Sequence, residues 1–154
     1  MSANSSPAID PRLAKCLGEF PITYAAPILI ADLSRGGPQF NNGTATLIEL
    51  ESKKLVITCA HVIDKYGENW MEDRRSLFQI DNVRLEPFSQ LIAEDRTSDL
   101  ATIELSEDQI KKLEEGGKRF FLPRKWPPDS ATTNDWIALG GFPAPGVNGW
   151  RGTR

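Results

Sequence analysis

Leu55-Val56-Ile57-Thr58-Cys59-Ala60-His61-Val62 carries the chain's one histidine at the end of a run of β-formers. Leu55 to Thr58 reads as a short apolar strand, and Cys59 to Tyr66 as one or two helical turns closed by Gly67. Just upstream, Gly43 to Leu50 sets Ala45 and Leu47 against Thr44, Thr46 and Ile48. That alternation is imperfect, as expected of a strand partly covered on both faces. The polar loop Glu51-Ser52-Lys53-Lys54 joins the two runs, so residues 43–58 predict a β-hairpin that delivers His61 to its rim.

Working outward, Tyr24 to Leu33 is a strand candidate followed by the turn Ser34-Arg35-Gly36-Gly37-Pro38. Ser76 to Asn82 and Arg84 to Ala93 are further strand candidates, with Pro87 marking an edge or a bend. Leu100 to Leu105 alternates cleanly and predicts another strand. Glu107 to Glu115 predicts a helix: Ser106 is its N-cap, Gln109 completes a capping box, Ile110 and Leu113 form its apolar stripe, and Gly116-Gly117 ends it. Residues 1–20 read as a flexible polar arm. Phe120-Phe121-Leu122-Pro123 and Trp126-Pro127-Pro128 read as a stiff connector, Asp135 to Leu139 as a strand, and Gly140-Gly141-Phe142-Pro143 as the turn after it. Short strands separated by turns predict an all-β barrel or sandwich with one or two short helices. The organisation expected is an arm (1–20), a β-barrel carrying His61 and Asp99 (21–122), a Pro-rich connector (123–134) and the start of a second unit (135–154).

The chain has 154 residues, enough for one core that buries roughly 70% of the unfolded surface. With 40% hydrophobic and 25% charged residues it has an ordinary soluble composition. The net charge of −3 argues against nucleic acid as a partner, because phosphate binding needs a cationic surface. The most basic cluster, Lys118-Arg119 with Arg124-Lys125, is broken by Phe120 to Pro123. Cys16 and Cys59 do not make a disulfide framework. Cys59 reads as a small buried hydrophobe, set two residues from His61 and not facing it. A Cys-x-His with no second histidine falls far short of a zinc site, so neither a metal nor an organic cofactor is expected. The longest apolar stretch, Ala25 to Ala31, is seven residues with Pro27 inside it, too short to cross a bilayer, so no membrane partner is expected. No targeting segment is visible, which makes a cytoplasmic, thiol-reducing setting the default expectation.

His61 and Asp99 carry the chemistry. A neutral imidazole takes a proton from a hydroxyl near physiological pH, provided a carboxylate holds its other nitrogen. Asp99 opens Asp99-Leu100-Ala101-Thr102-Ile103 and so stands at a strand end, as His61 does. Asp95 is a rival acid on the same loop, and Asp99 is preferred because Leu-Ala-x-Ile follows it directly. Its bland alternative is a turn residue before a strand. Gly43 has its own bland reading, a bulge or a close strand crossing. Trp126, Trp136, Phe120 and Phe121 read as packing residues. Ser98, Ser106 and Ser130 are nucleophiles only on paper: Ser98 adjoins the acid and Ser106 already caps a helix.

These segments resemble the trypsin-like (chymotrypsin-fold) serine peptidases. Gly43-Thr44-Ala45-Thr46-Leu47-Ile48 is similar to their Gly-x-Gly-x-hydrophobic-hydrophobic strand, with Ala45 in place of the second glycine. Ile57-Thr58-Cys59-Ala60-His61-Val62 is similar to their Leu-Thr-Ala-Ala-His segment, and Ser98 to Ile103 to their Asp-hydrophobic-Ala segment. Leu139-Gly140-Gly141-Phe142-Pro143 is similar to the Gly-Tyr-Pro turn of bacterial, disulfide-free members. The resemblance covers residues 24–143, with the motifs in the family's order. It implies a Greek-key β-barrel, peptide-bond hydrolysis by acyl transfer, His61 as general base and Asp99 as its orienting acid. It also implies a nucleophilic serine, and no serine after Asp99 lies in a Gly-x-Ser-Gly setting.

The sequence therefore predicts the N-terminal part of a serine endopeptidase with a truncated second barrel, inactive as given. A peptide or protein would be the substrate of the complete enzyme. The rival from another class is a non-catalytic β-barrel that binds a protein or peptide, with His61 and Asp99 as relics. An incomplete second barrel leaves strand edges open around Trp136 to Leu139, so self-association is expected.

Overall fold

The computed structural model describes residues 10–33, 38–125, 127, 129, 130, 132, 141 and 142. The predicted strand Asp135 to Leu139, Trp126 and the first nine residues of the expected arm lie outside them.

Seven strands form one antiparallel sheet: β1 (Ala25–Asp32), β2 (Gln39–Leu50), β3 (Lys53–Thr58), β4 (Leu77–Ile80), β5 (Val83–Leu85), β6 (Leu91–Asp95) and β7 (Leu100–Glu104). Their spatial order is β5-β4-β1-β2-β3-β7-β6, and the sheet curls into a half-barrel. Side chains alternate across each strand, which fixes the inner face. Ala26, Ile28 and Ile30 of β1, Ala45 and Leu47 of β2, Val56 of β3, Phe78 and Ile80 of β4, and Ala101 and Ile103 of β7 all point into one core.

The β2–β3 hairpin is tighter than its sequence suggested. Leu50 pairs with Lys53, so the turn is Glu51-Ser52 alone. Both residues take positive φ, 48° and 69°, which is the primed turn that matches strand twist. The run 84–93 is not one strand. Pro87 begins a short helix, α3 (Pro87–Gln90), between β5 and β6, because its fixed φ suits a first helical turn. Across this corner Gln90 Nε2 donates to Glu104 O at 2.9 Å, and Gln109 Nε2 donates to Arg84 O at 3.3 Å. These side-chain amides tie the two sheet edges together where no ladder does.

Three further helices flank the sheet: α1 (Pro11–Thr23), α2 (Ala60–Glu72) and α4 (Glu107–Glu115). Four helices replace the one or two expected. Residues 11–20 are helical and not an arm, because Asp10 caps Arg12 N at 2.7 Å and Pro11 takes the first turn. No residue of α1 is buried. The helix is anchored by Phe20, Tyr24 and Phe121, whose rings meet edge-on at 5.0–6.0 Å. Phe121 itself continues the sheet beyond the start of β1, donating from its N–H to Leu47 O and accepting from Glu49 N. The α4 helix forms as predicted, with the Ser106–Gln109 capping box complete and Leu113 fully buried. The α2 helix does not stop at Gly67. Tyr66 and Asn69, on either side of it, are buried, and that packing outweighs the roughly 1 kcal/mol a mid-helix glycine costs. Among the described residues no helix is long and apolar enough to cross a membrane.

Candidate functional site

Register brings the site together. Thr58, the last residue of β3, pairs with Ala101 near the start of β7. His61 lies three residues beyond one and Asp99 two residues before the other. Both therefore emerge at the same end of one strand pair, although they are 38 residues apart in the chain.

Three contacts join the start of α2 to Asp99. Ala60 N donates to Asp99 O at 3.2 Å, and His61 N donates to Asp99 Oδ1 at 2.9 Å. His61 Nδ1 and Asp99 Oδ2 are 2.6 Å apart. The first two contacts solve a problem of α2. Its N-cap residue, Cys59, offers no side-chain cap, and the first amides of a helix have no internal acceptor. Asp99 supplies the acceptor from the turn before β7, with a negative charge at the positive end of the helix dipole. To reach that position its backbone takes φ 53°, a conformation that aspartate tolerates better than most residues. Its carboxyl is held below the usual carboxylate range, first by the His61 main-chain N–H and then by the ring. An ionised carboxylate has no proton to give. In a neutral ring Nδ1 is therefore the donor to Asp99, and the lone pair of Nε2 is left open. With 69% of the His61 side chain and 47% of the Asp99 side chain exposed, solvent reaches both.

Glycine sets how closely α2 lies on the sheet. A Cβ at Gly43 would meet Val62 Cγ2 at 3.0 Å and Cγ1 at 3.3 Å. Gly43 thus admits the residue next to His61 against β2, a helix–strand approach in place of the bulge or strand crossing entertained from sequence. The neighbouring Thr44 is a hub. Its carbonyl accepts from Thr58 Oγ1 at 3.0 Å, just before the Cys59-Ala60-His61 turn. Its Oγ1 accepts from Phe142 N at 2.9 Å, and Asn42 Nδ2 donates to Phe142 O at 3.3 Å. Gly141 and Phe142 of the expected turn are thereby fastened to β2 beside the site.

Three neighbours escaped the sequence reading. Arg96 grips Asp64 with two 2.9 Å hydrogen bonds, tying the β6–β7 turn to α2 a second time. A shallow groove runs from His61 along α2, floored by Ile30 and Val62 and rimmed by Asn41, Asn42, Asp64, Lys65 and Glu68. Its helical wall was visible in the 61, 64/65, 68 spacing, one face of a helix. Cys59 is the third. Helical spacing excluded it from facing His61, but at the N-cap it is extended, with ψ 142°, so that argument does not apply. Its sulfur, the His61 ring and the Asp99 carboxylate all lie within 4.8 Å of one another. Burial and the adjacent Asp99 push its thiol pKa up.

The rival acid and two of the paper nucleophiles, Ser98 and Ser106, are otherwise engaged. Asp95 accepts from Thr97 N at 2.9 Å, from Ser98 N at 3.3 Å and from Ser98 Oγ at 2.7 Å. Ser106 Oγ accepts from Gln109 N. Phe120 packs against the core and Phe121 within the ring cluster, as read; Trp126 and Trp136 lie outside the described residues. The chain matches no family model, no curated protein and no solved structure.

Proposed function

We propose that the half-barrel is the first, Greek-key barrel of a trypsin-like serine endopeptidase, with His61 as general base and Asp99 as its orienting acid. The observation that carries the reading is the 2.6 Å contact between His61 Nδ1 and Asp99 Oδ2, made by an imidazole that is 69% exposed. In that arrangement Nε2 takes the proton of an attacking serine hydroxyl and later gives it to the leaving amine. Asp99 holds the ring and stabilises the imidazolium between those steps. Its helix-capping bonds keep the carboxylate from following the ring, so the pair is rigid on the acid's side.

His61 precedes Asp99, the order of this family, whereas in α/β-hydrolases the histidine comes after the acid. Gly141 and Phe142, pinned on Thr44, are where the family's second barrel would join the first. Within residues 1–154 no serine after Asp99 stands in a Gly-x-Ser-Gly setting, so these residues alone form no acyl-enzyme.

Two measurements test the proposal. The coding sequence past the Arg154 codon is read for a Gly-x-Ser-Gly segment: its presence supports the peptidase, and its absence favours a peptide-binding barrel with a relic pair. The 154-residue chain is also incubated with a fluorophosphonate probe, and stoichiometric labelling refutes the assignment of the nucleophile elsewhere.

A further inference from the structure

We propose that Cys59, His61 and Asp99 together bind one thiophilic divalent ion of the zinc class, a site the sequence did not suggest because Cys-x-His supplies only two ligands. The fold adds the third. One sulfur, one imidazole nitrogen and one carboxylate oxygen lie within 4.8 Å of one another at the start of α2. Zinc holds sulfur at about 2.3 Å and nitrogen or oxygen at about 2.0–2.2 Å, so tetrahedral ligands sit roughly 3.3–3.7 Å apart. No pair among the three is farther apart than 4.8 Å, about 1 Å beyond that separation. Placing an ion among them requires the 2.6 Å His61–Asp99 contact to open by about 1 Å, which rotation of the His61 side chain, 69% exposed, provides while Asp99 keeps its bond from His61 N.

The ligand set also selects the ion. Thiolate and imidazole suit zinc, cobalt and cadmium, whereas magnesium and calcium prefer oxygen throughout. Three protein ligands leave a fourth position for water, the pattern of an open site. The ion replaces the thiol proton of Cys59, which passes to solvent. Nδ1 gives its lone pair to the metal, and the ring keeps its one proton on Nε2. Resting on the peptidase reading, a further consequence is that the ion blocks the base, since Nε2 then has no lone pair for a serine proton. Metal binding itself does not depend on that reading.

Cobalt(II) is the probe, because thiolate ligation gives a near-ultraviolet charge-transfer band and four-coordination gives strong visible bands. The titration uses C16S protein, which removes the other free thiol. A band saturating at one equivalent, bleached by zinc and unaffected by magnesium, is the expected result. C59S abolishes the band, and H61Q weakens binding by at least the roughly 10–100-fold that even outer-sphere changes cost. Circular dichroism checks that both variants fold, and if C59S does not, H61Q decides alone. A C16S protein with no charge-transfer band at millimolar cobalt overturns the site. So does a band that H61Q leaves unchanged, or one that magnesium displaces. A serine found or missing downstream of Arg154 alters none of these spectra, so failure of the peptidase reading and failure of the metal site are separable.

Discussion

Asp95 and Asp99 stand four residues apart, at the end of β6 and the end of the β6–β7 turn, and the fold gives them opposite employment. Asp95 turns inward on its own turn and takes three hydrogen bonds from Thr97 and Ser98. Asp99 turns away from it and takes its bonds from His61, at the start of a helix in another part of the chain. Both carboxyls are held below the usual carboxylate range by donors, so charge alone does not distinguish them. What differs is the backbone. Asp99 adopts φ 53° at the mouth of β7, and the Thr58–Ala101 register carries that mouth to the head of α2. An acid becomes a candidate catalytic partner here through strand register, not through a perturbed titration.

Asp99→Asn produces the largest separation between the two acids. Asparagine has one acceptor oxygen, and the His61 main-chain N–H claims it. The amide nitrogen then faces Nδ1, which must become an acceptor, so the ring proton moves to Nε2. Because His61 is the one histidine, nitrogen NMR reads this tautomer change without assignment. In a serine-bearing form of the chain the same change lowers kcat about 10⁴-fold, the cost of the wrong tautomer in this kind of triad. An unchanged tautomer in Asp99→Asn would sink the proposed orienting role.

Gly43→Ala attacks the same pair from the His61 side. The new methyl meets Val62, a β-branched helical residue with essentially one rotamer, so the helix has to shift. Overpacking of this kind costs about 1–3 kcal/mol. Urea unfolding should show that loss, and the double variant Gly43→Ala/Val62→Ala should regain part of it. The first amides of α2 should exchange faster with solvent while the Thr97 and Ser98 amides keep their protection. Equal loss at both places would mean that the turn and helix form one rigid unit.

Asp95→Asn is the milder counterpart. The asparagine oxygen still accepts from the Thr97 and Ser98 amides, as Asx turns do; the charge is lost, and the Ser98 hydroxyl, which donates to Oδ2, must instead accept from the new amide. The His61 tautomer should not change, and thermal melting should move by no more than a few degrees. A tautomer change in this variant would assign the orienting role to the wrong acid.

What the sequence revealed follows the range of the interactions involved. The β2–β3 hairpin, β7 and the capped α4 rest on neighbours a few residues away, and periodicity and capping exposed them. Helix α1 carries Leu13, Cys16, Leu17 and Phe20 at helical spacing, but reading a polar arm there overlooks that stripe; the helix buries none of them in the core, and Asp10-Pro11 signalled its start. The halt expected at Gly67 failed because the packing of Tyr66 and Asn69 is tertiary. His61 and Asp99 could be singled out through ordered motifs, whereas their contact needed the β3–β7 register, which no local pattern encodes. Cys59 was misjudged by helical spacing applied one residue too early: the helix starts at Ala60. Arg96 and Asp64 carried no signal beyond opposite charge.

The smallest expected effect is that of mild acid. Asp99 binds its donors as an anion, and its folded pKa lies below the ordinary value of about 3.9. The stability it lends is fully present above that ordinary value and falls away only as pH drops through the lower, folded one. The His61 amide should therefore keep its hydrogen-exchange protection from neutrality down to the usual carboxylate range and lose it below. Asp95 has the same sign, so the Thr97 and Ser98 amides should follow the same course. Asp99→Asn removes the acid step at His61 and leaves the step at Thr97 and Ser98. Loss of His61 protection already between pH 5 and 7 would mean that Asp99 is not held as an anion, and the tautomer argument would fall with it.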